Sequence, residues 1–206
     1  MIIKTLPIGP LETNCYIIGC ETTGEGLIID PASNDRTIIE HVKKLNLTIK
    51  YILLTHGHFD HCCGLSDVKR EFDVPVAVHP DDIPFVAQAK LHGKMYGIHV
   101  PDIILPDTFI QEDDCFEIGT YNLRAIHTPG HTPGGLCFIC GKHLFSGDTL
   151  FNGSIGRTDL PGGNHSRIIT SIKTKLYTLD EDTVVYPGHG QQTTIGYEKQ
   201  FNPFTG

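Results

Sequence analysis

Residues 51–55, YILLT, form an apolar run of strand length that leads directly into HGHFDH, so His56, His58, Asp60 and His61 crowd into six positions. A buried strand that delivers such a loop has to end at one edge of a sheet, and the rest of the chain repeats the pattern. Apolar runs also end in Asp30 (GLIID), in Asp148 (FSGDTLF) and in His189 (VYPGHGQ), and His131 sits among glycines in TPGHTPGG. Glycine at these places permits tight turns and leaves room around a bound group.

Strands and helices alternate along the whole sequence. IIKTLPI, CYIIG and GLIID read as strands, and residues 34–47 place Ile38, Ile39, Val42 and Leu45 on one helical face behind an Asn or Asp cap. Helices are expected near 63–72, 81–90 and 165–178, the last with Ile168, Ile169, Ile172 and Leu176 on one side. Strands are expected in FEIGTYNLRAIH, LCFIC, HLFSGD and TVVYP. The stretch LHGKMYGIHVPDIILPD, residues 91–107, is punctuated by Gly and Pro and reads as a long connection, a common place for a lid or binding loop. No linker divides residues 1–206, so one α/β domain is expected, with two sheets face to face, helices outside and the site at one edge.

In an extended stretch residues two apart point the same way, so His56, His58 and Asp60 converge on one side, and His61 joins them only if the chain turns. Imidazoles and carboxylates together suit zinc, iron or manganese. With His131, Asp148 and His189 the chain offers seven ligands, enough for two cations sharing a carboxylate and a water. Cys62 and Cys63 follow the loop at once, where a thiolate could join the site, although free cysteine commonly behaves as a small hydrophobe. Cys137 and Cys140, three apart in an expected strand, should face opposite sides and serve the core. His127, four residues before His131, could be mistaken for the ligand, and His41, His79, His92, His99, His143 and His165 read as surface or cap residues.

The series THGHFDH, His131, Asp148 and His189 resembles the metallo-β-lactamase superfamily. Within it, GDTLFNGSIGRTDLPGG and YPGHGQQTTIGYEKQFNPF are similar to the short glyoxalase II-like hydrolases. The resemblance implies an αββα four-layer sandwich of two mixed sheets flanked by helices. It implies one metal held by His56, His58 and His131 and a second held by Asp60, His61 and His189, with Asp148 bridging. Asp30 matches an aspartate that supports the ligands from behind, orienting their imidazoles.

The chain has 206 residues, enough to bury a core without disulfides or a structural metal, and its 39% hydrophobic and 19% charged residues are those of a globular protein. Its net charge of -8, with Lys and Arg scattered, argues against nucleic acid as a partner. No apolar stretch is long enough for a membrane span, and MIIKTLPIGPL lacks the layout of a signal peptide. Seven cysteines, an odd number, fit a reduced, cytoplasmic protein.

The resemblance implies a hydrolase with two divalent cations, zinc foremost and iron or manganese as options. A bridging hydroxide would attack, and Asp60 would orient the water. Thioesters suit this equipment, because a thiol of pKa roughly 8.5 leaves without a strong general acid. A glutathione thioester such as S-lactoylglutathione is the implied substrate. Full-length glyoxalase II enzymes also carry a C-terminal helical domain that helps grip glutathione, and this chain ends at residue 206, soon after His189. Arg157 and Lys94 are therefore the candidates to meet a substrate carboxylate. The alternative is an oxidoreductase resembling the persulfide dioxygenases, which hold one iron by two His and one carboxylate.

Overall fold

The computed structural model describes residues 1–205. A first sheet takes six strands in chain order: β1 (Ile2–Ile8), β2 (Thr13–Gly19), β3 (Glu25–Ile29), β4 (Thr48–Leu53), β5 (Val76–Val78) and β6 (Thr108–Phe109). The β1–β2 and β2–β3 pairs are antiparallel, and from β3 onward each pair is parallel. Parallel neighbours need crossovers, and helices supply them. α1 (Thr37–Lys44) joins β3 to β4, α2 (Phe59–Cys62) and α3 (Leu65–Phe72) join β4 to β5, and α4 (Ile83–Met95) lies between β5 and β6.

A meander follows: β7 (Cys115–Ile118), β8 (Tyr121–His127), β9 (Leu136–Cys140) and β10 (His143–Gly147). After a small hairpin of β11 (Leu150–Phe151) and β12 (Ser154–Ile155) come α5 (His165–Thr174), β13 (Val184–Pro187), β14 (Thr193–Thr194) and α6 (Ile195–Phe201). The second sheet has the order β14-β13-β10-β9-β8-β7, with β10 and β13 parallel.

Strand alternation builds the layers. Along β2, Cys15 and Ile17 pack with Ile38, Leu65 and Val86 of the helices, whereas Tyr16 and Ile18 face Phe138 and Phe145 of the second sheet. Along β9, Phe138 points to the inter-sheet core and Cys137 to the outer face, against Ile168 and Ile172 of α5 and Ile195 of α6. The result is the four-layer αββα sandwich. Cys137 and Cys140 lie on opposite faces of β9, as the spacing implies. Among the described residues no helix is long and apolar enough to cross a membrane.

The structure departs from the sequence expectations in three places. α4 runs on through Met95, so the irregular connection begins only at Tyr96 and Lys94 is an exposed helical residue. The reason is Gly93, where an added Cβ would lie 2.3 Å from Val100 Cγ2: the returning chain packs on the helix at the one position without a side chain. The helix expected at 63–72 is preceded by a separate turn of helix, α2, which carries Asp60 and His61. α6 has no counterpart in the expectations. It is capped by Thr194 Oγ1, which accepts from Tyr197 N, and it is anchored by buried Glu198, which accepts from Gly153 N, Thr193 Oγ1 and Asn202 Nδ2.

Phe138 is fully buried between the sheets. Phe138→Ala is expected to lower stability by about 3–5 kcal/mol, read as a shifted denaturation midpoint at unchanged slope.

Candidate metal centre

The site forms where strand ends of both sheets meet. β3 ends in Asp30, β4 feeds the loop of His56 and His58, and β10 and β13 deliver Asp148 and His189. Backbone contacts tie the two sheets together here: Asn14 N donates to Gly188 O at 2.7 Å, and Thr13 bridges to His189. Three groups of donor atoms arise, each with all members within 4.8 Å of one another: His56, His58 and His131; His56, His61 and Asp148; and Asp60, His61 and His189. All seven residues singled out in the sequence therefore converge.

The strand-parity expectation holds for His56 and His58 but not for Asp60. The chain is still extended at His58 and turns immediately after it, so Asp60 sits on α2 and joins His61 and His189 instead.

Each imidazole but one is aimed by a hydrogen bond from its outer nitrogen. His61 Nδ1 donates to Asp30 Oδ2 at 2.8 Å, His131 Nδ1 to the Arg157 carbonyl at 2.8 Å, and His189 Nδ1 to the Leu11 carbonyl at 3.2 Å. The Thr55 hydroxyl donates to Asp30 Oδ2 at 2.7 Å, so its oxygen accepts from His56 Nδ1 at 3.1 Å. With those protons committed outward, the four Nε2 atoms carry bare lone pairs that face inward.

This leaves too many acceptors for the protons present. His58 Nδ1 lies 3.1 Å from His56 Nε2 and 2.9 Å from His131 Nε2, and a single N–H there can satisfy only one of them. His61 Nε2 stands 3.3 Å from Asp148 Oδ1, and both atoms are buried without a hydrogen-bond partner. His189 Nε2 is 3.2 Å from Asp60 Oδ2 and 3.6 Å from Asp148 Oδ2. Converging lone pairs with no donor between them fit a cation, and the His and carboxylate set fits a divalent one.

The electrostatics agree. Burial, reinforced by the neighbouring imidazoles, holds His56 well below its ordinary pKa, which favours the neutral, ligating form. Burial alone would raise Asp148, but His61 beside it, with His56 and His131, holds it well below the usual carboxylate range. Burial would likewise push His61 down, yet Asp148, Asp60 and Asp30 together raise it well above an ordinary imidazole, so its Nε2 attracts a positive charge that a cation would supply in place of a proton. The pocket is built to stabilise positive charge.

Two supports hold this arrangement. Asp30 adopts φ +52°, in the left-handed region, and accepts from Thr55 N at 2.8 Å as well as from Thr55 Oγ1 and His61. At Gly188 an added Cβ would lie 2.1 Å from Asp148 Oδ1, so only glycine lets β13 pass this close to the carboxylate. A third support escaped the sequence reading. Buried Asp82 accepts from Gly57 N and Thr132 Oγ1 on one oxygen, both at 2.8 Å, and from Gly134 N at 2.7 Å on the other. It staples the His56–His58 loop to the His131 loop. In sequence it is an unremarkable aspartate in HPDD, ahead of a helix.

Other expectations need correction. Lys94 is exposed on α4 and takes no part in the cavity wall beside the cluster. Arg157 does line that cavity, but its Nε and Nη2 donate to the two oxygens of Asp159 at 2.8 and 2.7 Å, so that edge of its guanidinium is already paired. His92, read as a surface or cap residue, also lines the cavity. His79 does serve as a cap, its Nδ1 accepting from Asp81 N at 3.2 Å, but it is buried and stacks on His127, with ring centroids 4.2 Å apart. Cys62 and Cys63 donate to the carbonyls of His58 and Ala32. Burial pushes the Cys63 thiol up to about 11 and Cys62 higher than an ordinary thiol, which makes both poor ligands.

Asp82→Asn keeps the size of the side chain but turns one acceptor into a donor facing N–H or O–H groups. Metal affinity is expected to fall about 10–100-fold, measured by titration against a competing chelator.

Comparison with known proteins agrees with this geometry. The metallo-beta-lactamase superfamily model matches residues 8–189. The chain is 39% identical to a probable metallo-hydrolase, YqgX, of Bacillus subtilis, over 98% of this chain and 96% of that one. It is 38% identical to the hydroxyacylglutathione hydrolase GloC of Haemophilus influenzae, over 99% and 98%. Among solved structures, the BLEG-1 B3 metallo-beta-lactamase superposes with a TM-score of 0.91 at 37% identity, covering 99% of both chains. TTHA1623 in a di-iron-bound form superposes with a TM-score of 0.89 at 35% identity, covering 99% of this chain and 100% of that one. On its sequence, its layered sheets and its cluster of imidazoles and carboxylates, the chain belongs to the metallo-β-lactamase superfamily.

Proposed function

We propose that the chain is a binuclear metallohydrolase that cleaves acyl thioesters of small molecules. The observation that carries this reading is the set of inward lone pairs on His56, His61, His131 and His189 around Asp148, beside a cavity of about 580 Å³. In it, His56, His58 and His131 would hold one divalent ion and Asp60, His61 and His189 a second, with Asp148 within reach of both groups. Ions held there supply a water of lowered pKa and a Lewis acid for a carbonyl oxygen.

The protein's own part is orientation. Asp60 Oδ2 accepts from Thr13 Oγ1 at 3.2 Å, which fixes the carboxylate facing the cavity. Burial would raise its pKa, but His61 and the hydrogen bond to His189 lower it overall, so Asp60 orients a water rather than taking its proton. Asp30 and the carbonyls of Arg157 and Leu11 keep His61, His131 and His189 in the tautomer that points Nε2 inward. A thiol of pKa roughly 8.5 departs without a proton donor, whereas an amine leaving group needs one.

The name of the Haemophilus relative favours thioesters and puts S-lactoylglutathione among those to assay. The di-iron form of TTHA1623 favours two metals per chain and makes iron as well as zinc a metal to look for.

Metal analysis of the purified protein should return two ions per chain, and the loaded protein should hydrolyse thioesters. Asp148→Ala is expected to lose a metal and at least about 100-fold in turnover while its circular dichroism stays native. Normal turnover in that variant contradicts the spanning role. One iron per chain with oxygen uptake on a persulfide overturns the hydrolase reading.

A further inference from the structure

We infer that the substrate this site takes best is a thioester with an apolar acyl chain on an uncharged thiol, rather than a glutathione conjugate; this rests on the hydrolase reading above. The cavity that opens onto His58, His131 and His189 has a volume of about 580 Å³, within the range of small-molecule sites. Around the ligand side chains its lining is largely apolar, with Leu11, Phe59, Phe85, Met95, Phe151 and Leu160. Of the lining, Met95 is 76% exposed and Tyr96 55% exposed, and large apolar side chains left open to solvent beside a cavity mark a surface that an apolar ligand covers.

The charge inventory points the same way. A glutathione thioester carries two carboxylates at neutral pH, and carboxylates are gripped by free Arg or Lys side chains. Arg157 is the sole Lys or Arg in the cavity wall among the described residues, and its charge is already paired, with Nε and Nη2 both donating to Asp159. An open groove of about 730 Å³ adjoins the cavity, sharing Leu11, His189 and Gly190 with it. That groove contains Glu12, Gln191 and Gln192 and, among the described residues, no Lys or Arg. Asn14 in it is committed to the carbonyls of Pro187 and Gly190, and the Tyr16 hydroxyl also donates to Pro187 O. A dianionic thiol laid there would meet Glu12 with no Lys or Arg in the groove to offset it. A neutral, amide-bearing thiol arm suits Gln191 and Gln192.

The test uses the metal-loaded full chain and four thioesters: S-acetyl- and S-octanoyl-N-acetylcysteamine, S-octanoylglutathione and S-lactoylglutathione. Each buried methylene is worth about fourfold. With only about half of its six extra methylenes buried, the octanoyl ester of the neutral thiol should exceed its acetyl counterpart at least roughly 50-fold in kcat/KM, mainly through KM. It should also exceed both glutathione esters. Phe85→Ala and Leu160→Asp should each shrink the octanoyl-to-acetyl ratio. Binding of the corresponding thioethers, followed by calorimetry, checks the same preference without turnover. Thioester hydrolysis with equal acetyl and octanoyl efficiencies, or with S-lactoylglutathione preferred, overturns the inference and leaves the hydrolase reading standing. No turnover of any of the four sinks the hydrolase reading instead, while tight binding of the octyl thioether still supports an apolar ligand in the cavity.

Discussion

The carboxylate of Asp30 is the hinge of the site. It is buried at the end of β3, in a left-handed backbone conformation, and it accepts three hydrogen bonds: two from Thr55 and one from His61. A buried carboxylate is tolerable only when its oxygens are filled, and these donors fill them. In return Asp30 fixes three things at once. It holds the end of β4 against β3, it turns the Thr55 oxygen towards His56, and it commits the outer proton of His61. The inward lone pairs of two histidines thus depend on one side chain that lies behind both.

The same logic is distributed around the cluster. Carbonyls of Leu11 and Arg157, from segments far apart in sequence, aim His189 and His131, while Asp82 staples the two histidine loops to each other. Few of these partners are chemically special; they are backbone groups that happen to need a donor. The site is therefore as rigid as the strand ends that carry it. That rigidity suits a metal centre, whose ligands must wait in place before the ion arrives.

Much of the fold and the cluster was legible in the sequence because local chemistry specifies it. Period-two apolar runs declared β2 and β9, the spacing of Ile38, Ile39 and Val42 declared α1, and a strand that ends in HGHFDH declared a site at a sheet edge. Four ligand-type residues in six positions cannot be hidden. Asp82 was illegible because its role depends on two loops whose backbone amides it reaches only after folding. The extension of α4 was illegible because Gly93 reads as a helix breaker until Val100 is seen packed on it. α6 was too short for its period to show, and its anchor Glu198 joins the two ends of the helix, Thr193 and Asn202, to the distant Gly153.

The amino-acid sequence by itself determined the layered α/β architecture and the identity of the seven converging side chains, since periodicity, turn chemistry and ligand type are properties of short stretches. Tertiary structure alone decided which nitrogen of each imidazole faces inward, that Asp60 groups with His61 and His189 rather than with His56 and His58, and that the neighbouring cavity is walled by apolar residues with Arg157 already paired. The physical reason is reach. A hydrogen bond or an ion pair is settled within about 3 Å, and the groups that settle it here come from opposite ends of the chain and meet only when the two sheets close on each other.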